Sequence, residues 1–268
     1  MLTRLVSGEV MLLDGRDRSV APVLIMDGVW EPDVTQVVLR CVRPGMRVLD
    51  VGANFGYFTL LLCRRVGTEG RVYAFEPQAR VHAFLEYNIE CNAYGTVARA
   101  YRLALGASAG TQLLRRVESG LGVRAGSASV REEVARELLP AVSEAVLAQE
   151  TAEVTRLDDL GLGEIDFAKI DAEGAEYDVW RGGRSTLSQA ACLIMEYGPR
   201  SLAAGPALLE ELRDAGFRLA IIERGGRLTA ALPPEIHSVA EDRGFVHVFA
   251  GKPRYLADLG LRVEKAKL

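Results

Sequence analysis

The chain has 268 residues, a formal net charge of −4 and 49% hydrophobic residues. That apolar content is ample for a core, and the length suits one large α/β domain or two small ones. The acidic balance argues against a nucleic-acid partner, because phosphate binding normally needs a basic face. No apolar run reaches the roughly 18 residues that span a bilayer. The N-terminus lacks a signal-peptide layout. A cytoplasmic protein with no membrane partner is expected. Cys41, Cys63, Cys91 and Cys192 show no CxxC spacing and read as reduced, buried thiols. His82, His237 and His247 do not cluster, so no zinc site is expected. Lysine occurs only at 169, 252, 265 and 267, which reads as compositional bias toward arginine.

In chain order, residues 4–13 and 20–26 read as two short strands around the polar turn Asp14-Gly-Arg-Asp17. Glu31 to Arg40 reads as a helix with Pro32 in its first turn. The first core strand is Arg47–Val51, followed by a helix over roughly Gly56–Arg65. A second strand, Arg71–Phe75, leads into an amphipathic helix over 77–91 with Val81, Phe84, Leu85 and Ile89 as its stripe. A third strand spans about Val97–Leu105. From Ser119 to Gln149 the rhythm changes: a glycine- and serine-rich loop, then a helix over Val130–Gln149 kinked at Pro140. This insertion (119–150) reads as a lid or as a surface decoration. After Leu157–Leu160, strands at Ile165–Ile170, Ala191–Met195 and Phe217–Ile222 alternate with helices at Ala175–Leu187 and Pro206–Ala215. Arg224-Gly-Gly-Arg227 makes a turn, and Phe245–Ala250 closes the sheet, antiparallel to its neighbour. Strands alternating with helices imply a parallel sheet with helical crossovers. One domain over 1–268 is expected, with N-terminal additions over 1–45.

Three segments carry chemistry. In Met46-Arg-Val-Leu-Asp-Val-Gly-Ala-Asn-Phe-Gly-Tyr57 a strand runs into Asp50, and glycines stand at 52 and 56 before a helix. Glycines let backbone approach a ligand, and a helix start offers free N–H groups. A dinucleotide fingerprint has glycine where Asp50 stands. A carboxylate there would repel a pyrophosphate but attract an ammonium or sulfonium group. The pattern therefore favours S-adenosylmethionine over NAD. In Tyr73-Ala-Phe-Glu76-Pro77, an acid ends the second strand, where nucleoside-binding α/β proteins hold a ribose. In Phe167-Ala-Lys-Ile-Asp171-Ala-Glu173-Gly-Ala-Glu176, the strand delivers Asp171 and Glu173 to the same edge. Glu176 reads as a first-turn helix residue. Met195-Glu196-Tyr197-Gly198 adds one more acid.

These segments, with Trp30-Glu31-Pro32, Asn88, Asn92, Leu157-Asp-Asp-Leu160 and Ile194-Met-Glu196, resemble the FkbM-type methyltransferases from about residue 28 to 200. The resemblance implies a class I methyltransferase fold: a doubly wound, mostly parallel seven-stranded sheet with an antiparallel last strand. It implies S-adenosylmethionine as cofactor and O-methylation of a hydroxyl on a sugar or secondary metabolite. By the same resemblance, Asp50, Gly52, Asn54, Gly56 and Glu76 would hold the cofactor, with Glu31, Ala53, Pro77 and Ala104 completing that set. Asp171, Glu173 and Glu196 would line the reaction side. The base is one of these acids or His237, expected in a loop before the last strand. Asp171 and Glu196 could alternatively hold Mg²⁺. An NAD-dependent oxidoreductase and a non-catalytic nucleoside-binding module are the competing readings. The oligomeric state is open, a homodimer included.

Overall fold

A computed structural model describes residues 1–119, 122–123, 146–198, 206–258 and 264–265. At the N-terminus, β1 (Leu2–Arg4) and β2 (Val10–Leu12) form an antiparallel hairpin. Its turn falls at residues 5–9 rather than at Asp14–Asp17. The expected strand over 20–26 is a helix, Ala21–Asp27. Asp17 explains the difference: its Oδ2 accepts the amides of Val20 at 2.7 Å and Ala21 at 2.6 Å. That satisfies donors a helix start would otherwise leave orphaned. A short apolar run does not by itself distinguish the two states.

The core strands follow in order: β3 (Arg47–Val51), β4 (Arg71–Phe75) and β5 (Ala98–Tyr101). The expected strand over 97–105 is broken, and β6 (Ala104–Leu105) leaves the main sheet. It joins β7 (Gly110–Ser119), β8 (Gly122–Val123) and β9 (Val146–Thr155) in a four-stranded sheet of order β6-β9-β7-β8. The expected helix over Val130–Gln149 is thus corrected at 146–149, which belong to β9; residues 130–145, with Pro140, lie outside the described residues. The β-branched and alternating Val146-Leu-Ala-Gln-Glu-Thr-Ala-Glu-Val-Thr155 pairs with β7 over nine registered positions, from Gly110↔Val154 to Glu118↔Val146. Cross-strand pairing outweighs the local helical bias of alanine and glutamate there.

The chain returns through β10 (Phe167–Ile170), β11 (Cys192–Tyr197), β12 (Arg218–Glu223), β13 (Arg227–Ala230), β14 (Val246–Gly251) and β15 (Glu264–Lys265). The main sheet has the order β15-β13-β12-β14-β11-β10-β3-β4-β5. From β12 to β5 this is the expected seven-stranded class I methyltransferase core. β3, β4, β5, β10 and β11 run parallel, and β14 is antiparallel to both neighbours. β13 and β15 extend the edge beyond what the sequence suggests.

Strand alternation divides the core into two layers. Val48, Val72, Phe167 and Ile194 pack under the helices Pro32–Cys41, Tyr57–Val66 and Ala79–Cys91. Leu49, Val51, Ile170 and Met195 pack on the opposite face with Trp180, Leu208 and Ile236. Asn88 and Asn92 fasten the N-terminal hairpin to this frame. Asn88 donates to Leu12 O at 2.9 Å and Phe55 O at 2.8 Å, while Asn92 donates to Val10 O at 2.7 Å. The order of connections reverses between β3 and β10, and such a reversal opens a crevice at the carboxyl ends of the strands.

Candidate functional site

A cavity of about 250 Å³ lies at that crevice. Its wall includes Glu31, Gly52, Ala53, Asn54, Glu76, Pro77, Ala104, Asp171, Glu173 and Glu196. Three predicted residues, Asp50, Gly56 and His237, are not on the wall.

Glu76 ends β4 and is buried. Its Oε2 accepts the Asn54 amide and its Oε1 the Gln78 amide, each at 2.9 Å. Both loops at the strand tips are therefore tied to one carboxylate. Burial pushes its pKa up to about 7, against the lowering effect of those amides. The Gln78 side chain bonds the same carboxylate, which leaves acceptor capacity on this cavity-lining group for a ribose hydroxyl.

The glycines act differently from the expectation. A Cβ on Gly52 would lie 1.8 Å from the carbonyl oxygen of Asp171. Gly52 thus allows the chain to approach itself, bringing the tips of β3 and β10 together. Gly56 precedes the helix Tyr57–Val66 with φ 96°, and its Cβ would press Leu85 at 2.7 Å. Glu31, Asn54 and Glu173 have φ of 43°, 51° and 50° and all line the cavity. Non-glycine residues rarely hold this conformation, and such strain concentrates at functional sites.

Asp50 sits one layer below. Alternation along β3 turns its side chain toward the helix Tyr57–Val66, where Thr59 Oγ1 donates to Oδ2 at 2.6 Å. Its Oδ1 is buried without a hydrogen-bond partner, and burial raises its pKa. The picture of Asp50 facing a ligand directly is therefore corrected: it supplies charge from beneath the wall.

Lys169, which faces Asp50 across the β10–β3 register, is the residue that sequence reasoning passed over. Its Nζ lies 3.0 Å from Asp171 Oδ2 and 4.7 Å from the centre of the Phe58 ring. Burial opposes the ammonium charge, but Asp171, Asp50 and Glu31 outweigh that and hold the pKa above the usual lysine value. A lysine inside the apolar run Phe167-Ala-Lys-Ile170 was the available signal. Trp30, Tyr57, Phe58, Leu114 and Phe245 also line the cavity without having been anticipated.

Glu173 and Glu196 rise from the β10 and β11 tips. Burial and then Asp171 push Glu196 up to about 9. The same causes, in the same order, raise Glu173. Glu176 has the structural role expected of it: Oε1 accepts the Ala172 and Gly174 amides at 2.8 and 3.1 Å. Burial raises it to about 7. His237 is on the helix Pro233–Arg243, not in a loop, with Nδ1 2.6 Å from the Tyr197 hydroxyl. Pro233 and the Glu235 carboxylate, which accepts the Leu232 amide at 2.7 Å, start that helix. His237 is not retained as a base. Its neighbour in kind, His247, stands 3.3 Å from Glu31 Oε1.

The Mg²⁺ expectation does not fit. No group of three or more His, Cys, Asp or Glu suited to a metal ion occurs among the described residues. The Lys169 ammonium already neutralises Asp171 and would repel a divalent ion beside it. Asp171 and Glu196 are not assigned as metal ligands.

Raised carboxyl pKa values make a pH prediction. The folded protein keeps protons on Glu76, Glu176 and Glu196 that the unfolded chain has lost above about 4.5. Stability is thus greatest below about 4.5 and falls as pH rises, as far as about 7 for Glu76 and Glu176 and on to about 9 for Glu196, which carries the slope above pH 7. Above pH 6.5 the lowered His82 adds no opposing slope. The ligand-free Tm is expected to fall by several degrees between pH 7 and pH 9, at up to about 1.4 kcal/mol per pH unit for each group involved. Calorimetric scans at constant ionic strength check this; a rising Tm over that window contradicts it.

Comparison with known proteins identifies the family. The methyltransferase FkbM domain model matches residues 50–219. The chain is 38% identical over 77 residues to Protein-L-isoaspartate O-methyltransferase 1 of Arabidopsis thaliana, covering 29% of this chain and 34% of that protein. It is 30% identical over 159 residues to Methyltransferase sdnD of Sordaria araneosa, covering 50% and 59%. Over 215 residues it is 30% identical to the AMB antimetabolite synthetase AmbE of Pseudomonas aeruginosa, covering 66% of this chain and 10% of that protein. The chain therefore spans less than two thirds of each relative's length. Among solved structures it is similar to a methyltransferase FkbM from Methylobacillus flagellatus KT, with TM-score 0.46 and 13% identity over 81% of this chain and 50% of the other. The family model covers more than half of the chain and the whole run from Asp50 to Glu196, and the chain belongs to the FkbM family of S-adenosylmethionine-dependent methyltransferases.

Proposed function

We propose that this methyltransferase transfers the methyl group to a hydroxyl oxygen of a small molecule, a sugar or secondary-metabolite alcohol. The observation that carries the reading is the pair Glu173 and Glu196, acids with raised pKa values at the β10 and β11 end of the cavity, opposite Glu76. An alcohol is about as weak an acid as water, near 15.7, so its proton needs a strong local acceptor. A carboxylate with a raised pKa is a stronger base than an ordinary one, and Brønsted behaviour rewards that. When bound, S-adenosylmethionine supplies an electrophilic methyl group on a sulfonium centre. Glu196, once ionised beside a cationic ligand, takes the hydroxyl proton. Asp171, held by Lys169, fixes the loop that carries Glu173. The walls align oxygen and methyl group, and orientation of this kind supplies roughly 7–11 kcal/mol.

The test is methyl transfer from ¹³C-methyl S-adenosylmethionine to a panel of polyhydroxylated and amine-bearing small molecules, read by NMR. A new O-methyl resonance is expected. Transfer to nitrogen or carbon alone would replace the reading. Glu196→Gln is expected to lower kcat by about 10²–10⁴, with S-adenosylhomocysteine affinity unchanged within about threefold. A variant that keeps its kcat removes Glu196 as the base.

A further inference from the structure

Lys169 is the single cation among the described residues that line the cavity, against five carboxylates: Glu31, Glu76, Asp171, Glu173 and Glu196. Its side chain is 6% exposed, yet it reaches the wall. Placing an ammonium inside a strand whose neighbours Phe167, Ala168 and Ile170 are fully buried is costly. One of its three donors is committed to Asp171 at 3.0 Å. On the same wall, Glu31 has a buried Oε2 with no hydrogen-bond partner. Glu31 also contributes to the field that keeps Lys169 charged. The methyl donor of this family carries one anionic group, the carboxylate of its amino-acid end, next to an ammonium. A zwitterion needs one cation and one anion side by side, and a carboxylate entering an acid-lined cavity needs a fixed positive partner.

We propose that Lys169 binds the carboxylate of the cofactor's amino-acid end, with Glu31 accepting from its ammonium. Glu76 follows β4 and Lys169 lies on β10, with β3 between them, so their strands are two strand spacings, about 10 Å, apart. The nucleoside and amino-acid ends of one elongated ligand are thereby recognised by different strands, across the crevice at the reversal point. Lys169 is a binding and positioning residue. It selects a donor that retains its amino-acid arm and fixes how far that arm extends past β3.

The proposal rests on the methyltransferase assignment, and its test separates the two. Calorimetry compares S-adenosylhomocysteine with 5′-methylthioadenosine, which lacks the amino-acid end, on the full chain. The wild-type protein is expected to bind S-adenosylhomocysteine at least tenfold more tightly. In Lys169→Met that preference is expected to shrink several-fold, the Glu31 contact to the ammonium remaining, with 5′-methylthioadenosine affinity unchanged. Lys169→Arg is expected to recover part of it. A merely structural lysine would weaken both ligands together, and that result overturns the proposal, as does a variant that keeps the full preference. Where Lys169→Met fails to fold, wild-type binding of decarboxylated S-adenosylhomocysteine decides: equal affinity with the parent compound overturns the proposal, and at least a tenfold loss supports it. Wild-type protein that binds none of these ligands refutes the cofactor assignment instead.

Discussion

Glu76→Ala is expected to weaken S-adenosylhomocysteine binding by at least about 100-fold. A hydrogen bond to a charged group contributes about 1.5–3 kcal/mol, and a diol offers two donors to one carboxylate. The loss does not stop at the missing ligand contacts. The Asn54 and Gln78 amides both point at this carboxylate, at 2.9 Å. Its removal leaves two donors without their acceptor and frees the loop after β3 from the loop after β4. Asn54 holds φ at 51°, a conformation that persists only where its surroundings over-determine it. The stiffness of the nucleoside end is therefore lost with the acid. Titration calorimetry checks the affinity. Glu76→Gln discriminates the two causes: an amide still accepts through one oxygen, so it is expected to fall between wild type and alanine. Alanine binding as tightly as wild type would remove Glu76 from the nucleoside site.

Much of this site is legible in sequence because it sits at strand tips. An apolar run followed by an acid, as in Val72-Tyr-Ala-Phe-Glu76 or Leu193-Ile-Met-Glu196, announces a carboxylate at the open edge of a parallel sheet. Glu76, Asp171, Glu173 and Glu196 all reach the cavity wall by that route. What sequence does not reveal is which face a residue takes. Asp50 is one position before the end of its strand, so the two-residue alternation turns it under the wall. Val51 and Gly52 take the place beside the cavity instead. The same alternation places Lys169 next to Asp50, and the pairing becomes visible only once β10 is known to lie beside β3. His237 is misplaced for another reason. Two prolines before it suggest a loop, yet Pro233 and Pro234 open a helix, a position proline favours. The N-terminal helix fails likewise: its start depends on Asp17, a side chain three and four residues before the amides it caps.

Gly52→Ala is expected to cost about 3 kcal/mol or more and to abolish cofactor binding. Two penalties add. The residue holds φ at +75°, which costs an L-residue roughly 1–2 kcal/mol. The new methyl carbon would also stand 1.8 Å from the Asp171 carbonyl oxygen, a backbone atom with no side-chain freedom to yield. Overpacking of this kind typically costs 1–3 kcal/mol and occasionally more. Relief requires the β3 and β10 tips to separate. That movement breaks the Asp171 amide bond to Val51 O at 3.0 Å. It also carries Asp171 and Glu173 away from Asn54 and Glu76. Stability and binding are thus lost through one displacement. A Tm lower by roughly 6 °C or more is expected in scanning calorimetry, at roughly 2–4 °C per kcal/mol for a domain near this size. Gly161→Ala provides the control. Gly161 is left-handed, with φ 60° and ψ 34°, but has nothing within 4 Å of its Cβ position, so it carries the backbone cost alone. If the two variants lose equal stability and both still bind S-adenosylhomocysteine, then close approach of the strand tips is not what Gly52 provides. A larger loss at Gly52, accompanied by failed binding, identifies it as the residue that lets the tips of two neighbouring parallel strands, β3 and β10, meet closely enough to share one ligand.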